Sequence, residues 1–274
     1  MTTTLRPVEP LQQNPDGTRS RRYQVCVNSR PVGEIHLGTS PSFGDSTARV
    51  VDLWIAEPDR RRGRGTVAAL AAEEVARGWG CTQIETSVPA SADVALRLFG
   101  ALGYTLRNRG MEKRLGTTPP ELPAGSGARP MTDAEYDAWH EYESEHYARM
   151  WIERGVPEDA AHAKARRDHE HLLPHGLATD GMLFSVLEHE GARVGTLWLA
   201  LRDDRAFVFD VRTDAAHRGR GHGRTLMLLA ERQAIEADRP VLGLNVHADN
   251  TPAERLYESL GYETTVRTLA KPLL

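Results

Sequence analysis

Two segments of the chain, LFGALGY at residues 98–104 and LYESLGY at residues 256–262, are nearly the same sequence. The likeness continues upstream with an almost fixed offset. Gly195 follows Gly33 by 162 residues, Arg218 follows Arg62 by 156, and Gly261 follows Gly103 by 158. A period as long as a whole domain indicates a duplication and excludes a solenoid of short repeats. Whatever the first half folds into, the second half must be able to fold into as well.

The repeated pattern is a hairpin followed by alternating helix and strand. Residues 23–27, the turn NSRP and residues 32–37 read as strand, turn, strand, and so do residues 182–188, HEGAR and residues 194–199. Residues 50–55 and Ala206–Thr213 are apolar and β-branched enough to add a third strand to each meander. An Arg/Gly-rich loop follows each, then a helix at residues 67–77 or 225–237. In the latter, Leu226, Leu229, Ala230, Ala234 and Ala237 fall at helical spacing. Short strands at residues 83–88 and 241–246 come next, each followed by the helix that ends in the repeated tail.

Between the halves lies GTTPPELPAGSGARP, residues 116–130, which has no helical or alternating pattern and reads as an exposed connection. The expected domains are therefore residues 1–115 and 131–274. The second half carries one addition, a helical stretch at residues 132–173 placed before its hairpin. Thr132 with Glu135 forms a capping box at its start, and Gly155-Val-Pro157 breaks it into two helices. The first half offers only about twenty polar, Pro-containing residues at that point and has no room for such a pair. If the helices form a lid over a substrate, the first half lacks one.

Composition narrows the function classes. A formal net charge of -4 argues against a dedicated nucleic-acid binder, although arginines cluster at residues 60–64 and 218–224. Cys26 and Cys81 are too few for a disulfide scaffold or a thiolate metal cage. No apolar run approaches the ~20 residues of a membrane span, and the N-terminus has no apolar leader core. A soluble, reducing, cytoplasmic setting is the expectation. His162, His169, His171 and His175 do not amount to a metal site, because only His171 and His175 have ligand spacing and Pro174 ends the helix between them.

The informative loop is Arg218-Gly-Arg-Gly-His-Gly223, between a strand and a helix. Glycines at Gly219, Gly221 and Gly223 permit a tight turn with unobstructed amides. Those amides, that of His222 included, and the positive end of the following helix make a diphosphate site, to which Arg218, Arg220 and Arg224 add charge-assisted bonds. The spacing G-x-G-x-G differs from the dinucleotide-binding G-x-G-x-x-G, and the Walker-type lysine is absent.

Arg218-x-x-Gly221-x-Gly223 resembles the acetyl-CoA pyrophosphate motif of the GNAT superfamily of N-acetyltransferases, Q/R-x-x-G-x-G/A. Asn250 and Ala253-x-x-Leu256-Tyr257-x-x-x-Gly261-Tyr262 resemble that family's N-x-x-A-x-x-L-Y-x-x-x-G-F/Y segment. The resemblance covers roughly residue 131 to the end and, more faintly, residues 23–115. It implies an α/β (α+β) fold of two tandem domains, each a mixed twisted sheet flanked by helices, with acetyl-CoA as co-substrate and no metal.

The same resemblance implies transfer of an acetyl group from acetyl-CoA to a primary amine on a small molecule, with Tyr257 as the acid for the leaving thiolate. Asn250 would orient the cofactor or a bridging water. The strand Ala206–Thr213 should flank the thioester, with Val211 and Thr213 presenting backbone to it. Asp210 on that strand is the candidate base. Glu141, Glu143, Glu145 and His146 on the lid helix are further candidates, any of which can instead belong to a solvated face, and a water chain to bulk solvent could serve in place of all of them. Two other readings stay open: a non-catalytic acyl-CoA-binding or regulatory module, and a transferase with another donor such as an aminoacyl-tRNA.

The first half carries Phe99 where the second has Tyr257 and Ala92 where it has Asn250, so it lacks the chemistry. Its loop, with Arg62, Gly63, Arg64 and Gly65, can still hold a phosphate as a second cofactor site. Aligning the helices sets Arg62 on Arg218, Gly65 on Gly221 and Val67 on Gly223. A literal match to the motif uses Arg60-x-x-Gly63-x-Gly65 instead.

Overall fold

The computed structural model describes residues 2–14, 17–40, 44–153 and 156–273. In chain order the elements are β1 (Thr3–Pro7), β2 (Gln12–Gln13), β3 (Arg19–Val27), β4 (Arg30–Ser40), β5 (Gly44–Ile55), α1 (Arg64–Gly78), β6 (Gln83–Pro89), α2 (Asp93–Ala101) and β7 (Thr105–Arg114). They continue with β8 (Ser126–Pro130), α3 (Asp133–Ile152), α4 (Glu158–Leu172), β9 (Met182–His189), β10 (Ala192–Leu201), β11 (Ala206–Thr213), α5 (His222–Glu236), β12 (Val241–His247), α6 (Thr251–Ser259) and β13 (Glu263–Pro272). Helix and mixed sheet recur in both halves, as the duplication requires. No helix among the described residues is long and apolar enough to cross a membrane.

The chain forms two compact units. The first comprises Met1–Met111, Val246–Thr251 and Thr264–Leu274, and the second Glu112–Asn245 and Pro252–Glu263. In the first, the strands run β1-β3-β4-β5-β6-β13-β7, with β2 paired to β3. β5 and β6 are parallel, and the pairings of β3 with β4 and β4 with β5 are antiparallel. The small side chains of Ala68, Ala69, Ala72 and Ala76 let α1 lie close on the sheet, where Ile35, Leu37 and Ile84 are fully buried. Burial of this apolar surface, at ~25 cal/mol per Å², is what holds the layers together.

In the second unit the order is β12-β11-β10-β9-β8, with β11 parallel to β12. Successive side chains of a strand point to opposite faces. Trp198 therefore joins Trp139, Tyr136 and Phe184 in an aromatic cluster under α3, while α5 packs on β10 and β11 through buried Leu226, Leu229 and Ala230. The capping box at α3 forms in full: Thr132 Oγ1 accepts from the Glu135 N–H, and Glu135 accepts from the Thr132 N–H at 2.9 Å. α3 ends at Ile152 and α4 starts after Pro157, as the break predicts. Gly155 lies outside the described residues.

Three local features depart from the sequence reading. The expected connection, residues 116–130, ends in a strand: β8 pairs antiparallel with β9, and Arg129 ties it down through Glu188 at 2.8 Å and Glu135 at 2.7 Å. Residues near the N-terminus are likewise strands, β1 pairing residue for residue with the outer side of β3. Finally, residues 264–274 are grouped with the first unit. β13 runs antiparallel to β6, Leu269 and Leu273 enter the first core, and Lys271 Nζ meets the buried Glu73 at 2.7 and 2.9 Å. The repeat-related lysine, Lys113, meets Glu231 at 2.7 Å in the second unit.

Candidate active site

The site grows from a split in the second unit's sheet. The parallel pairing of β11 with β12 runs from Ala206↔Leu242 to Val208↔Leu244, and residues 209–213 continue beyond it. A short 3-10 turn at Ala215–His217 then leads into the Arg/Gly loop. Gly219 (φ 76°) and Gly221 (φ 89°) both take the left-handed conformation, and Gly221 is the N-cap of α5. Non-glycine residues pay roughly 1–2 kcal/mol in that region. A Cβ at Gly223 would stand 3.3 Å from Leu256 of α6, so the start of α5 and α6 approach closely under the loop.

The first amides of a helix have no carbonyl partner within it, and here they open toward exposed Arg218, Arg220 and Arg224. Arg218 Nε donates to the Thr213 carbonyl at 3.4 Å and Arg224 Nη2 to Ser259 Oγ at 2.6 Å. These residues fit a diphosphate. The His222 side chain is 6% exposed, so only its amide can serve that site. Burial, then the neighbouring His189 and His217, hold its imidazole below the usual range, which keeps it neutral.

Beside the loop, β11 turns Asp210 and Arg212 to one face, toward α3. Trp139 Nε1 donates to Asp210 Oδ2 at 3.3 Å. One helical turn along α3, Glu143 points the same way. Its Oε1 lies 3.9 Å from Arg212 Nη1, and both side chains are largely buried. The Arg212 guanidinium lies over the Tyr142 ring, 3.9 Å from its centroid, an arrangement that fixes it by cation–π attraction. Burial raises the Asp210 carboxyl, with Trp139, Arg212 and His146 pulling against it. Burial also pushes Glu143 up to about 8, assisted by the Asp210 charge and opposed by Arg212. Desolvation and mutual repulsion both disfavour the doubly charged form of this pair.

Tyr257 is buried on α6, edge to face with Tyr262 at 6.1 Å between centroids. Burial, then the Asp210 charge, pushes its phenol up to about 12, so the group stays protonated throughout the neutral range. The loop, β11, α3 and α6 thus present anion-binding amides, two buried carboxyl groups and a phenol in one unit.

A model of the acetyltransferase (GNAT) family matches residues 3–104 and again residues 136–262. The chain belongs to the GNAT acetyltransferase family. It is 30% identical over 151 residues to the uncharacterized N-acetyltransferase YycN of Bacillus subtilis, covering 53% of this chain and 96% of that protein. It is 28% identical over 266 residues to the mycothiol acetyltransferase of Mycolicibacterium vanbaalenii, covering 90% of this chain and 81% of that one. In structure it resembles a GCN5-related N-acetyltransferase from Sphaerobacter thermophilus, with a TM-score of 0.61 at 20% identity over 92% of this chain and 80% of that chain.

Against this GNAT frame the sequence-predicted residues can be placed. Arg218 to Arg224, Thr213, Asp210 and Tyr257 gather in the second unit. The Val211 N–H is directed at the Asp210 carboxylate. Asn250 sits in the exposed turn before α6, its N–H bonded to the His247 carbonyl at 3.0 Å, in a segment grouped with the first unit. His169 packs on His140 and Ser144 and is held down to about 4 by burial. Among the described residues no three His, Cys, Asp or Glu side chains group to hold a metal.

Trp139, Tyr142 and Arg212 were not anticipated, and Glu143 was one of several lid acids. Trp139, Glu143 and His146 lie at i, i+4 and i+7, a single stripe of α3 that could have separated Glu143 from its solvated neighbours.

The first unit's loop resolves its own ambiguity. Gly63 (φ 72°) is the N-cap of α1 as Gly221 is of α5, and Arg60 Nε bonds the Ile55 carbonyl at 2.8 Å as Arg218 bonds Thr213. A Cβ at Gly65 would meet Leu98 at 3.0 Å, matching Gly223 and Leu256. The literal match through Arg60, Gly63 and Gly65 is therefore the structural one, and the pairing of Gly65 with Gly221 is wrong by two residues. Helix α1 begins at Arg64, earlier than its apolar pattern suggests, because the glycine cap lies inside the motif. Asp52 takes the place of Asp210 but is exposed, and Trp54 stands half-exposed at the position of Arg212.

Proposed function

We propose that the protein is an acetyl-CoA-dependent N-acetyltransferase acting on a primary amine of a small polar molecule, with its chemistry in the second unit. The observation that carries this reading is the convergence of a phenol, a carboxylate and a helix-capping glycine loop around the open end of β11. The loop amides with Arg218, Arg220 and Arg224 hold the diphosphate, and Val211 and Thr213 line the thioester. Relatives named as mycothiol acetyltransferases along most of the chain support a small-molecule acceptor.

An amine with a lysine-like pKa of ~10.4 is almost wholly protonated at pH 7 and must lose a proton before it attacks. Asp210 is the base on β11 that favours this loss. Tyr257 supplies the proton for the leaving thiolate. A positioned acid contributes ~10²–10⁴-fold. In the first unit Phe99 has no proton to give, so that half binds or supports.

The test is transfer of labelled acetyl from acetyl-CoA to a panel of polar primary amines by wild type and Tyr257→Phe. The reading expects turnover in the wild type and a fall of about 10²–10⁴-fold in the variant with acetyl-CoA affinity retained. Equal turnover in both, or none in the wild type, refutes it.

A further inference from the structure

Through the duplication, buried positions of one unit have counterparts in the other. Ile35 on β4 and Leu197 on β10 are one such pair, both fully buried. Opposite them stand Tyr23 on β3 and Ser185 on β9. One strand further out, Leu5 on β1 pairs with Val25, and Ala128 on β8 with Leu187. On the covering helices, Val75 of α1 matches Gln233 of α5, because the glycine caps Gly63 and Gly221 stand the same twelve residues before them.

In the first unit Leu5, Tyr23 and Val75 pack into one core. In the second, Ala128, Ser185 and Gln233 take their places and line a hollow of about 480 Å³ at β8, β9 and α5. Protein interiors are otherwise close-packed. The change from leucine and tyrosine to alanine and serine removes the bulk that fills the first unit, and the change from valine to glutamine makes the wall polar. We propose that the hollow is a binding site for a small molecule, an uncharged planar ring about the size of a tyrosine side chain and bearing one hydroxyl. The site is separate from the one described above. Twelve residues of α5 span ~18 Å at ~1.5 Å per residue, which puts the diphosphate loop and the hollow at opposite ends of one helix. Its occupancy does not depend on the acetyltransferase assignment.

The lining sets that chemistry. Leu229, Met131 and Met182 give apolar walls, and the volume lies within the ~300–1,000 Å³ of small-molecule sites. The Gln233 amide donates through Nε2 to Ser185 Oγ at 2.8 Å, while its Oε1 is buried with no hydrogen-bond partner among the described residues. An unmet buried acceptor is costly, and a donor on a ligand removes that cost. A hydroxyl both donates and accepts, so it completes the amide in either of its two orientations. The guanidiniums in the lining are already engaged, Arg129 by Glu135 and Glu188, and Arg232 by the Pro120 carbonyl at 3.0 and 3.1 Å. With both engaged, and Glu236 of the same lining exposed, an anion is disfavoured and a neutral ligand fits.

The test is titration of full-length protein with p-cresol, the tyrosine side chain as a free molecule, followed in ¹H–¹⁵N spectra. Toluene is the control ring without the hydroxyl. p-Cresol should bind saturably and shift the side-chain amide resonance of Gln233, assigned with Gln233→Val. Toluene should bind about 2–10-fold more weakly, the loss of one hydrogen bond. Ser185→Tyr restores the first unit's residue and should abolish p-cresol binding while acetyl-CoA affinity stays at its wild-type value. No saturable binding, equal affinity for toluene, an unmoved Gln233 resonance, or p-cresol binding that survives in folded Ser185→Tyr overturns the proposal. Should Ser185→Tyr fail to fold, the wild-type Gln233 resonance and the toluene comparison decide the matter.

Discussion

Each unit buries one glutamate under a helix and meets it with a lysine from a strand, and the two pairs are repeat-related. Glu231 on α5 is paired with Lys113 at 2.7 Å, and Glu73 on α1 with Lys271 at 2.7 Å. The glutamate side chains are 6% and 3% exposed, the lysines 25% and 22%. Lys113→Met leaves Glu231 buried without its cation, whereas Lys271→Met leaves Glu73 the longer ion pair to Arg77 at 4.0 Å. Removing one partner of a buried pair costs about 3–5 kcal/mol. Partial access of water to the lysines places the expectation at the low end, about 3 kcal/mol for Lys113→Met and less for Lys271→Met, where Arg77 still faces Glu73. At about 2–4 °C per kcal/mol for a protein of this size, that is a fall of roughly 6–12 °C in Tm for Lys113→Met. Pairing each with its glutamine partner, Glu231→Gln or Glu73→Gln, should recover most of the loss, since no charge is then stranded.

Hydrogen exchange read by mass spectrometry localises the damage. Lys271→Met should accelerate exchange in α1, and Lys113→Met in α5. Acceleration in α5 from Lys271→Met would refute the assignment of residues 264–274 to the first unit. A loss below about 1 kcal/mol in both would refute the buried-pair argument, because that is the range of exposed pairs.

Two further outcomes follow from the same geometry. Gly195→Ala would drive a Cβ into the Arg212 carbonyl, a backbone atom that cannot turn aside. It should cost more than about 4 kcal/mol or abolish folding, while Gly221→Ala, strained only by its φ of 89° with open space around it, should cost about 1–2 kcal/mol. Thermal melts of both variants check this ordering. His169, held down to about 4 mainly by burial, binds fewer protons folded than unfolded. Its contribution to stability is therefore complete above pH ~6.5 and is lost as pH falls from there toward 4. His169→Asn should flatten the stability–pH curve in that window, measured by denaturant titration, and an unchanged slope contradicts it.

Much of this was legible because duplication and periodicity are local. The hairpins, the Thr132 capping box and the glycine loop are each specified by residues within a turn of one another. What escaped was specified at a distance. The segment Ser126–Pro130 has no strand pattern of its own, and β9 makes it a strand by pairing with it. The tails that end in Lys113 and Lys271 are related by the repeat, so nothing within either says which buried glutamate it will meet. Glu143 looks in sequence like any helical carboxylate until packing against β11 brings Asp210 and Arg212 to it.

Isothermal titration of acetyl-CoA into wild type and the Arg218→Ala/Gly221→Ala double variant tests the central claim most directly. The account predicts binding in the wild type and loss of a site in the variant, a surviving second site then belonging to the loop at Arg60 to Gly65. Unchanged stoichiometry and affinity in the variant, or no binding to the wild type, would contradict it.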